Sequence, residues 1–490
     1  MSRRHPKTIQ TIPALLLLAA LSLSLPASLL AQATRANELR YPPLPAFDIP
    51  QPERVVLDNG LVVMLLEDHE LPLVEATALV RAGGRFDPAD KVGLAGLGAE
   101  VLRTGGTQSL PGDALDDFLE SRAASIEARA DEDSARVSLS SLKADFPRVL
   151  KTFADVLRRP AFDARKLEVA RNQAIAEVSR QNDEPDQILS REFRKVVYGP
   201  DSPYARTETY ASLGAIRRDD LAAWHKASFH PDRVVLGLVG DFQRDEALRL
   251  IREAFGDWPR GPQWKPAEAA FKKQPSPGVY YIEKDDVTQS FVQMGHLGVR
   301  LDDPDYYALE VMNQALSGSF ASRLIANVRT RKGLAYSVYG GVGSDFDHPG
   351  LATLFVSTKT ETTGAGIDAL LEEARNLTAQ PLTADEVERA KQSLLASFVF
   401  RFDTRREVLS RQLLLEFYGY PLDWLSRYRS GVESVTLEQV RKAARHLRPE
   451  ELAIVVVGPS QGMDKPLASF GKVTKIDVSL PAPPAQGGRQ

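Results

Sequence analysis

Cysteine is absent from all 490 residues, which excludes disulfide frameworks, thiolate nucleophiles, Cys-ligated zinc and iron–sulfur clusters together. Any metal site must use histidine and carboxylates, and histidine is itself scarce, with seven in the chain. His69, His225, His230, His296, His348 and His446 form no pair at the three- or four-residue spacing of a helical metal site. An excess of basic charge is missing too: 61 Lys+Arg stand against 65 Asp+Glu, so nucleic acid finds no electrostatic footprint here. What is present is the composition of a folded protein, 43% hydrophobic and 8% aromatic, at a length where a single core would have split into several domains.

The first segment reads as an address rather than as structure. Arg3, Arg4 and Lys7 precede the apolar run Ile12–Leu25, and Ala31-Gln32-Ala33 follows it, which is the order of a secretory signal. Pro26 and the Ser/Ala-rich stretch behind it cut the run short of the ~20 residues a membrane span needs. Cleavage is expected after Ala33. Loss of residues 1–33 removes three basic and no acidic groups, so the net charge moves from −4 to −7. The mature chain is then an exported, periplasmic protein without a membrane span.

Along the mature chain, Val55-Val56-Leu57, the turn Asp58-Asn59-Gly60 and Leu61–Leu66 predict a hairpin. Strands are expected at Leu73–Val80, Ser125–Ala130 and Ala135–Leu142. Helices are expected at Gly93–Arg103, Pro111–Ser121, Pro147–Arg158, Ala164–Gln181 and Arg218–Ala227, ahead of the apolar strand Val234–Val239. The run from Ser212 through His230-Pro231-Asp232 to Val239-Gly240 has a counterpart from Ser434 through Arg448-Pro449-Glu450 to Val457-Gly458. Both read as helix, short acidic turn and buried strand ending in glycine, and strands again precede long helices from Gly278 onward, which points to an internal duplication. The expected organisation is α+β with two homologous domains, 34–257 and 278–470, joined by a Pro/Lys-rich linker at 258–277 and followed by a loose, disordered tail at 471–490.

The run Gly93-Leu94-Ala95-Gly96-Leu97-Gly98-Ala99-Glu100, with Gly105-Gly106-Thr107 after it, resembles the inverted-zincin metallopeptidases of the pitrilysin/insulinase family, in the subgroup of the mitochondrial processing peptidase. That family carries Gly-Leu-Ala-His-x-x-Glu-His here: two histidines one helical turn apart hold zinc, and the glutamate acts as base on the metal-bound water. Matched residue by residue, Gly96 stands for the first histidine, Ala99 for the base and Glu100 for the second histidine. Glu177, in Ala174-Ile175-Ala176-Glu177-Val178, matches the family's third ligand. Two carboxylates without imidazole make a poor zinc site, so the four are read as degenerate motif positions, and no metal is expected on this chain.

A second signature is intact. Arg329-Thr330-Arg331-Lys332-Gly333-Leu334-Ala335-Tyr336, preceded by Gly318-Ser319-Phe320-Ala321-Ser322-Arg323, resembles the family's Arg-x6-Tyr element, which implies substrate binding by Arg329 and Tyr336 at a zinc held in trans. The same residues also read as a helix C-terminus, basic in its last turn and closed by Gly333. Ser125–Ala130 matches the family's peptide-binding edge strand, with Ala128, Arg129 and Ala130 as its peptide-binding positions; its alternating charges, Glu127 and Arg129, also suit an edge protected from aggregation. The resemblance implies, for each domain, a largely antiparallel sheet with helices on one face. The function it implies is that of a non-catalytic subunit of an exported zinc metallopeptidase heterodimer, with zinc on the partner subunit and unfolded or short peptides as substrates. The alternative is a structural or peptide-binding pseudo-peptidase without a catalytic partner.

Overall fold

The computed structural model describes residues 49–265 and 270–483. The expected signal segment and most of the lead-in after it lie outside the described residues. Two six-stranded sheets organise the rest. The first takes β1 (Glu53–Val56), β2 (Val62–Glu67), β3 (Leu73–Val80), β4 (Ser125–Ala130), β5 (Ala135–Leu142) and β6 (Val234–Gly240), in the order β1-β2-β6-β3-β5-β4. The second takes β7 (Gly278–Glu283), β8 (Gln289–Leu297), β10 (Ser337–Val342), β12 (Leu351–Lys359), β13 (Ala453–Gly458) and β14 (Val473–Lys475), in the order β10-β12-β8-β13-β7-β14. The short strands β9 (Val299–Arg300) and β11 (Ser344–Asp345) pair beside it.

Read from opposite ends, the two orders coincide strand for strand. β2 and β7 each run parallel to the late strand beside them, β6 or β13, and that strand runs antiparallel to β3 or β8. Only the outermost strand differs: β1 precedes β2 in a hairpin, whereas β14 arrives from the far end of the chain and lies parallel to β7.

One face of the first sheet packs on the helices Leu94–Thr104, Gly112–Glu120, Phe146–Arg158, Arg218–Ser228 and Arg244–Phe255, which together close a single core. Yet β6 is buried along nearly its whole length and β13 along all of it, so both faces of each central strand must be covered. The second cover comes from the other half. The helix Pro185–Tyr198, first-half by sequence, aligns Ile188, Leu189, Phe193 and Val197 and packs them on Ile282, Phe355, Val455 and Val457 of the second sheet. The helix Arg405–Tyr418 of the second half crosses β6 of the first.

Two glycines admit these helices. A Cβ on Gly295 would lie 2.8 Å from the Phe193 ring, and one on Gly237 would lie 2.6 Å from a Leu413 methyl, so a larger residue would force these helix side chains to shift. The domain boundary expected near 257–278 therefore separates the sheets but not the packing, because each half lends the other a helix.

The segment 471–490, expected as a disordered tail, is ordered over its described part. β14 pairs with β7, Ile476 N–H donates to Tyr281 O, and Asn182 donates to Val478 O. Ile476 and Val478 pack beneath the helix Pro185–Tyr198 and Leu480 against the first core. Apolar residues at 476, 478 and 480 alternate with Asp477 and Ser479, the period of an extended segment lying on a surface. The prolines behind them obscured that pattern.

Candidate functional site

The degenerate motif sits on the helix Leu94–Thr104. Leu94, Ala95, Leu97, Ala99, Val101 and Leu102 are buried, which turns Gly96 and Glu100 outward on one face, one turn apart. The helix lacks a side-chain cap of its own. Asp87 supplies one from the preceding loop, accepting from Gly93 N–H at 3.0 Å and Ala95 N–H at 3.1 Å. Burial pushes the Asp87 carboxyl up to about 6, against the pull of those N–H groups and of the nearby Arg206 guanidinium.

Gly96 lines a cavity of about 750 Å³, together with Asp87, Glu177, Glu208, Arg206 and Ala130. Glu177 reaches it from the exposed face of the helix Ala164–Arg180. Ala130 reaches it from the end of β4, which is the outer strand of its sheet. Of the sequence-selected positions, the fold thus gathers Gly96, Glu177 and Ala130 around one space. Ala99 is 1% exposed and faces the core instead.

Glu208 carried no motif signal. It belongs to the loop before the helix Tyr210–Ala215, and its Oε1 lies 3.6 Å from where a Gly96 Cβ would be. The space beside the position of the first histidine is thus taken by a carboxylate. Burial raises the Glu208 pKa and the charge of Glu177 raises it further. Zinc does not fit this donor set: imidazole is missing, Gly96 and Ala99 offer no donor, and two carboxylates without imidazole make a poor zinc site.

Two clusters among the described residues hold a histidine and two carboxylates close enough to share one ion: Asp133, Asp347 and His348, and Asp303, Asp305 and His446. Cations of the protein already serve both. Arg85 lies 3.0 Å from Asp133 and 2.5 Å from Asp347, and Lys442 lies 3.2 Å from Asp305. The first group ties the two halves together. Tyr418 O–H donates to Asp133 at 2.6 Å, and the Tyr204 ring stacks on His348 at 3.6 Å.

The Arg/Tyr element lies outside the cavity that contains Gly96. Ile325–Arg331 is a π-helical turn rather than the end of an α-helix, and Gly333 closes it in the left-handed region at φ 64°. Leu334 N–H reaches back to Val328 O. Before it, Arg323 forks onto Glu386 at 2.7 and 2.9 Å and fixes the Gly318–Arg323 run. The result is an outward patch: Tyr336 is 79% and Phe320 78% exposed, and the Arg329 guanidinium lies over the Phe320 ring at 5.7 Å. Phe320 stood within the recognised run, but only the structure gives it a role, as the platform that orients Arg329.

The chain is similar to known proteins over most of its length. The family model described as "Insulinase (Peptidase family M16)" matches residues 62–201, and that described as "Peptidase M16 inactive domain" matches residues 215–394. A Helicobacter pylori protein named non-peptidase homolog YmxG is 25% identical over 401 residues, covering 81% of this chain and 91% of that relative. An uncharacterized zinc protease YmxG of Bacillus subtilis is 26% identical over 315 residues, covering 64% of this chain and 76% of the relative. The crystal structure of a peptidase M16 inactive domain from Pseudomonas fluorescens superposes with a TM-score of 0.75 at 27% identity, covering 84% of this chain and 99% of that one.

Proposed function

The chain belongs to the insulinase family of peptidases, M16, and we propose that within it this protein is the non-catalytic subunit of an exported zinc metallopeptidase heterodimer. The observation that carries the reading is a mismatch inside one chain. The cavity at the matched metal position keeps Glu177 but lacks both histidines and the base, while Arg329 and Tyr336 stand exposed outside it. A relative that holds zinc supplies what the first lacks and uses what the second offers.

In that complex the peptide lies extended. The outer edge of β4, with Ala128, Arg129 and Ala130, has unpaired main-chain groups to receive it, and β4 runs into the cavity through Ala130. The wall there is acidic, with Glu177 and Glu208, which favours peptides of neutral or positive charge. Arg329 and Tyr336 donate hydrogen bonds to the carbonyl of a peptide held at the partner's metal, where negative charge develops during attack. Export rests on the segment before Ala33, and unfolded or short peptides are the substrates.

The test is hydrolysis of an unfolded peptide by the reconstituted pair, with wild-type or Tyr336→Phe subunit, after equal assembly is verified by gel filtration. Tyr336→Phe deletes only a hydroxyl on an exposed ring, so assembly should survive while turnover falls by about 10²–10³-fold. Arg329→Ala should also raise KM, because a guanidinium holds the ground-state carbonyl as well. Unchanged turnover in a fully assembled Tyr336→Phe complex would leave this chain a structural or peptide-binding partner only.

A further inference from the structure

A second cavity, about 410 Å³, lies in the second half and is built on the same plan as the first. The first is framed by the loop after β3, the start of the helix Leu94–Thr104, the turn after β4, the end of the helix Ala164–Arg180 and the helix Pro185–Tyr198. The second is framed by Leu301 after β8, by Tyr306 at the start of the helix Tyr306–Ser317, by Asp345 and Phe346 after β10, by Phe398 and Arg401 at the end of the helix Ala384–Phe398, and by Arg411 of the helix Arg405–Tyr418. Most of these elements correspond in chain order, so the second cavity takes the place of the first in the duplicated half; the short strand β11 is an addition to it.

Its chemistry is the opposite. Six aromatic side chains line it: Tyr306, Phe346, Phe398, Phe402, Trp424 and Tyr428. The Tyr428 ring is fixed by Phe398, stacked at 5.3 Å, and by Trp424 at 5.3 Å. The Arg411 guanidinium lies over Trp424 at 4.4 Å and over Phe346 at 5.2 Å. Aromatic rings hold a guanidinium by its faces and leave the N–H groups in its plane free to donate. Arg411 Nε is buried and has no hydrogen-bond partner among the described residues, and Arg411's pKa is lowered by burial.

Two acids stand nearby, and the charge of Glu310 acts on both Arg411 and Arg401. Glu310 accepts from Tyr428 O–H at 3.0 Å, and burial raises its pKa; Asp345 faces His348 at 3.4 Å. A second cation, the exposed Arg401, stands on the same wall. The volume is that of a small-ligand site, with apolar walls and a few convergent polar groups.

We propose that this cavity binds an aromatic carboxylate, its two oxygens forked by Arg411 and attracted by Arg401, and its ring seated among Phe398, Phe402 and Trp424. A planar fork donating in its own plane matches a carboxylate in two parallel hydrogen bonds, and the walls select a flat apolar group beside it. Two sources carry that chemistry: a free aromatic acid, and the last residue of a peptide ending in an aromatic side chain. This inference does not rest on the Arg329/Tyr336 reading.

The experiment is calorimetric titration of the full mature chain at pH 7 with indole-3-acetate, with N-acetyl-phenylalanine and with N-acetyl-phenylalanine amide. The expected result is saturable binding of one acid per chain, at least tenfold weaker for the amide, and at least tenfold weaker in Arg411→Met and in Arg401→Gln. Binding of N-acetyl-phenylalanine identifies the peptide end as the source; binding of indole-3-acetate alone identifies a free acid. Thermal melts check folding, and if Arg411→Met does not fold, the exposed Arg401→Gln alone decides. Failure of both acids to bind, equal binding of the amide, or undiminished affinity in the folded variants would overturn the assignment.

Discussion

The two cavities occupy the same place in duplicated halves and share almost nothing in their linings. Around Gly96 the walls are mostly carboxylates, with Glu177 and Glu208 facing each other and Arg180 and Arg206 among them. In the second half they are aromatic rings and two guanidinium groups. A framework of strands and helices fixes where a cavity forms, whereas the side chains that reach it decide what it can hold. The halves are also not independent, since the helix that supplies Gln187 to the first cavity packs on the second sheet, and the helix that supplies Arg411 to the second cavity crosses the first.

That mutual cover is the easiest part of the comparison to break. Phe193 is fully buried where its helix meets Gly295, and Phe193→Ala should cost about 3–5 kcal/mol. Leu413→Ala, at the reciprocal crossing over Gly237, should cost about 2–5 kcal/mol. Urea unfolding followed by tryptophan fluorescence and by circular dichroism should give one shared transition for each variant. A separate transition for one half would show that the exchanged helices do not couple them.

Next in size is the tie through Arg85, whose side chain is 7% exposed between Asp133 and Asp347. Arg85→Met leaves two carboxylates facing each other across the halves and should cost about 3 kcal/mol, the lower end for a buried pair because Asp347 is partly solvated. The same unfolding measurement checks it, and adding Asp133→Asn should recover part of the loss.

The smallest effect sharpens the electrostatic contrast. The Asp87 carboxyl titrates at about 6 in the folded chain, above its ordinary 3.8, because it is buried. Folding therefore favours its protonated form, so the stability it contributes is fully present below about pH 4 and is lost as pH rises through 6. Asp87→Asn should flatten the stability profile across that window by somewhat less than about 3 kcal/mol, the full value of a shift from 3.8 to about 6, because part of the carboxyl stays solvated. A profile unchanged from wild type between pH 4 and 6 would show that the acidic wall of the first cavity is more solvated than its burial implies.

Local structure was readily legible in the sequence. Alternating apolar residues marked Leu73–Val80, Ser125–Ala130 and Ala135–Leu142 with the bounds the strands have, because half-buried strands print their period directly. Which sheet a helix would cover was not legible. The apolar stripe of Pro185–Tyr198 defines a face but not its partner, and the partner is nearly a hundred residues away in β7 or further still in β13. The candidate site divides in the same way. Gly96 and Glu177 could be placed by motif, but Glu208 comes from a loop without periodicity, and the aromatic cavity joins Trp424 and Tyr428 of one helix to side chains from distant elements that no local pattern links.

The central claim is that this chain has kept the scaffold of a metallopeptidase half while losing its metal, and the most direct test is zinc content. The purified wild-type chain should hold no stoichiometric zinc. Gly96→His with Glu100→His places two imidazoles on the outward face of the helix with Glu177 across the cavity, and this double variant should take up about one zinc per chain, lost again in Glu177→Gln. One zinc per wild-type chain, or a folded double variant that binds none, would contradict the claim.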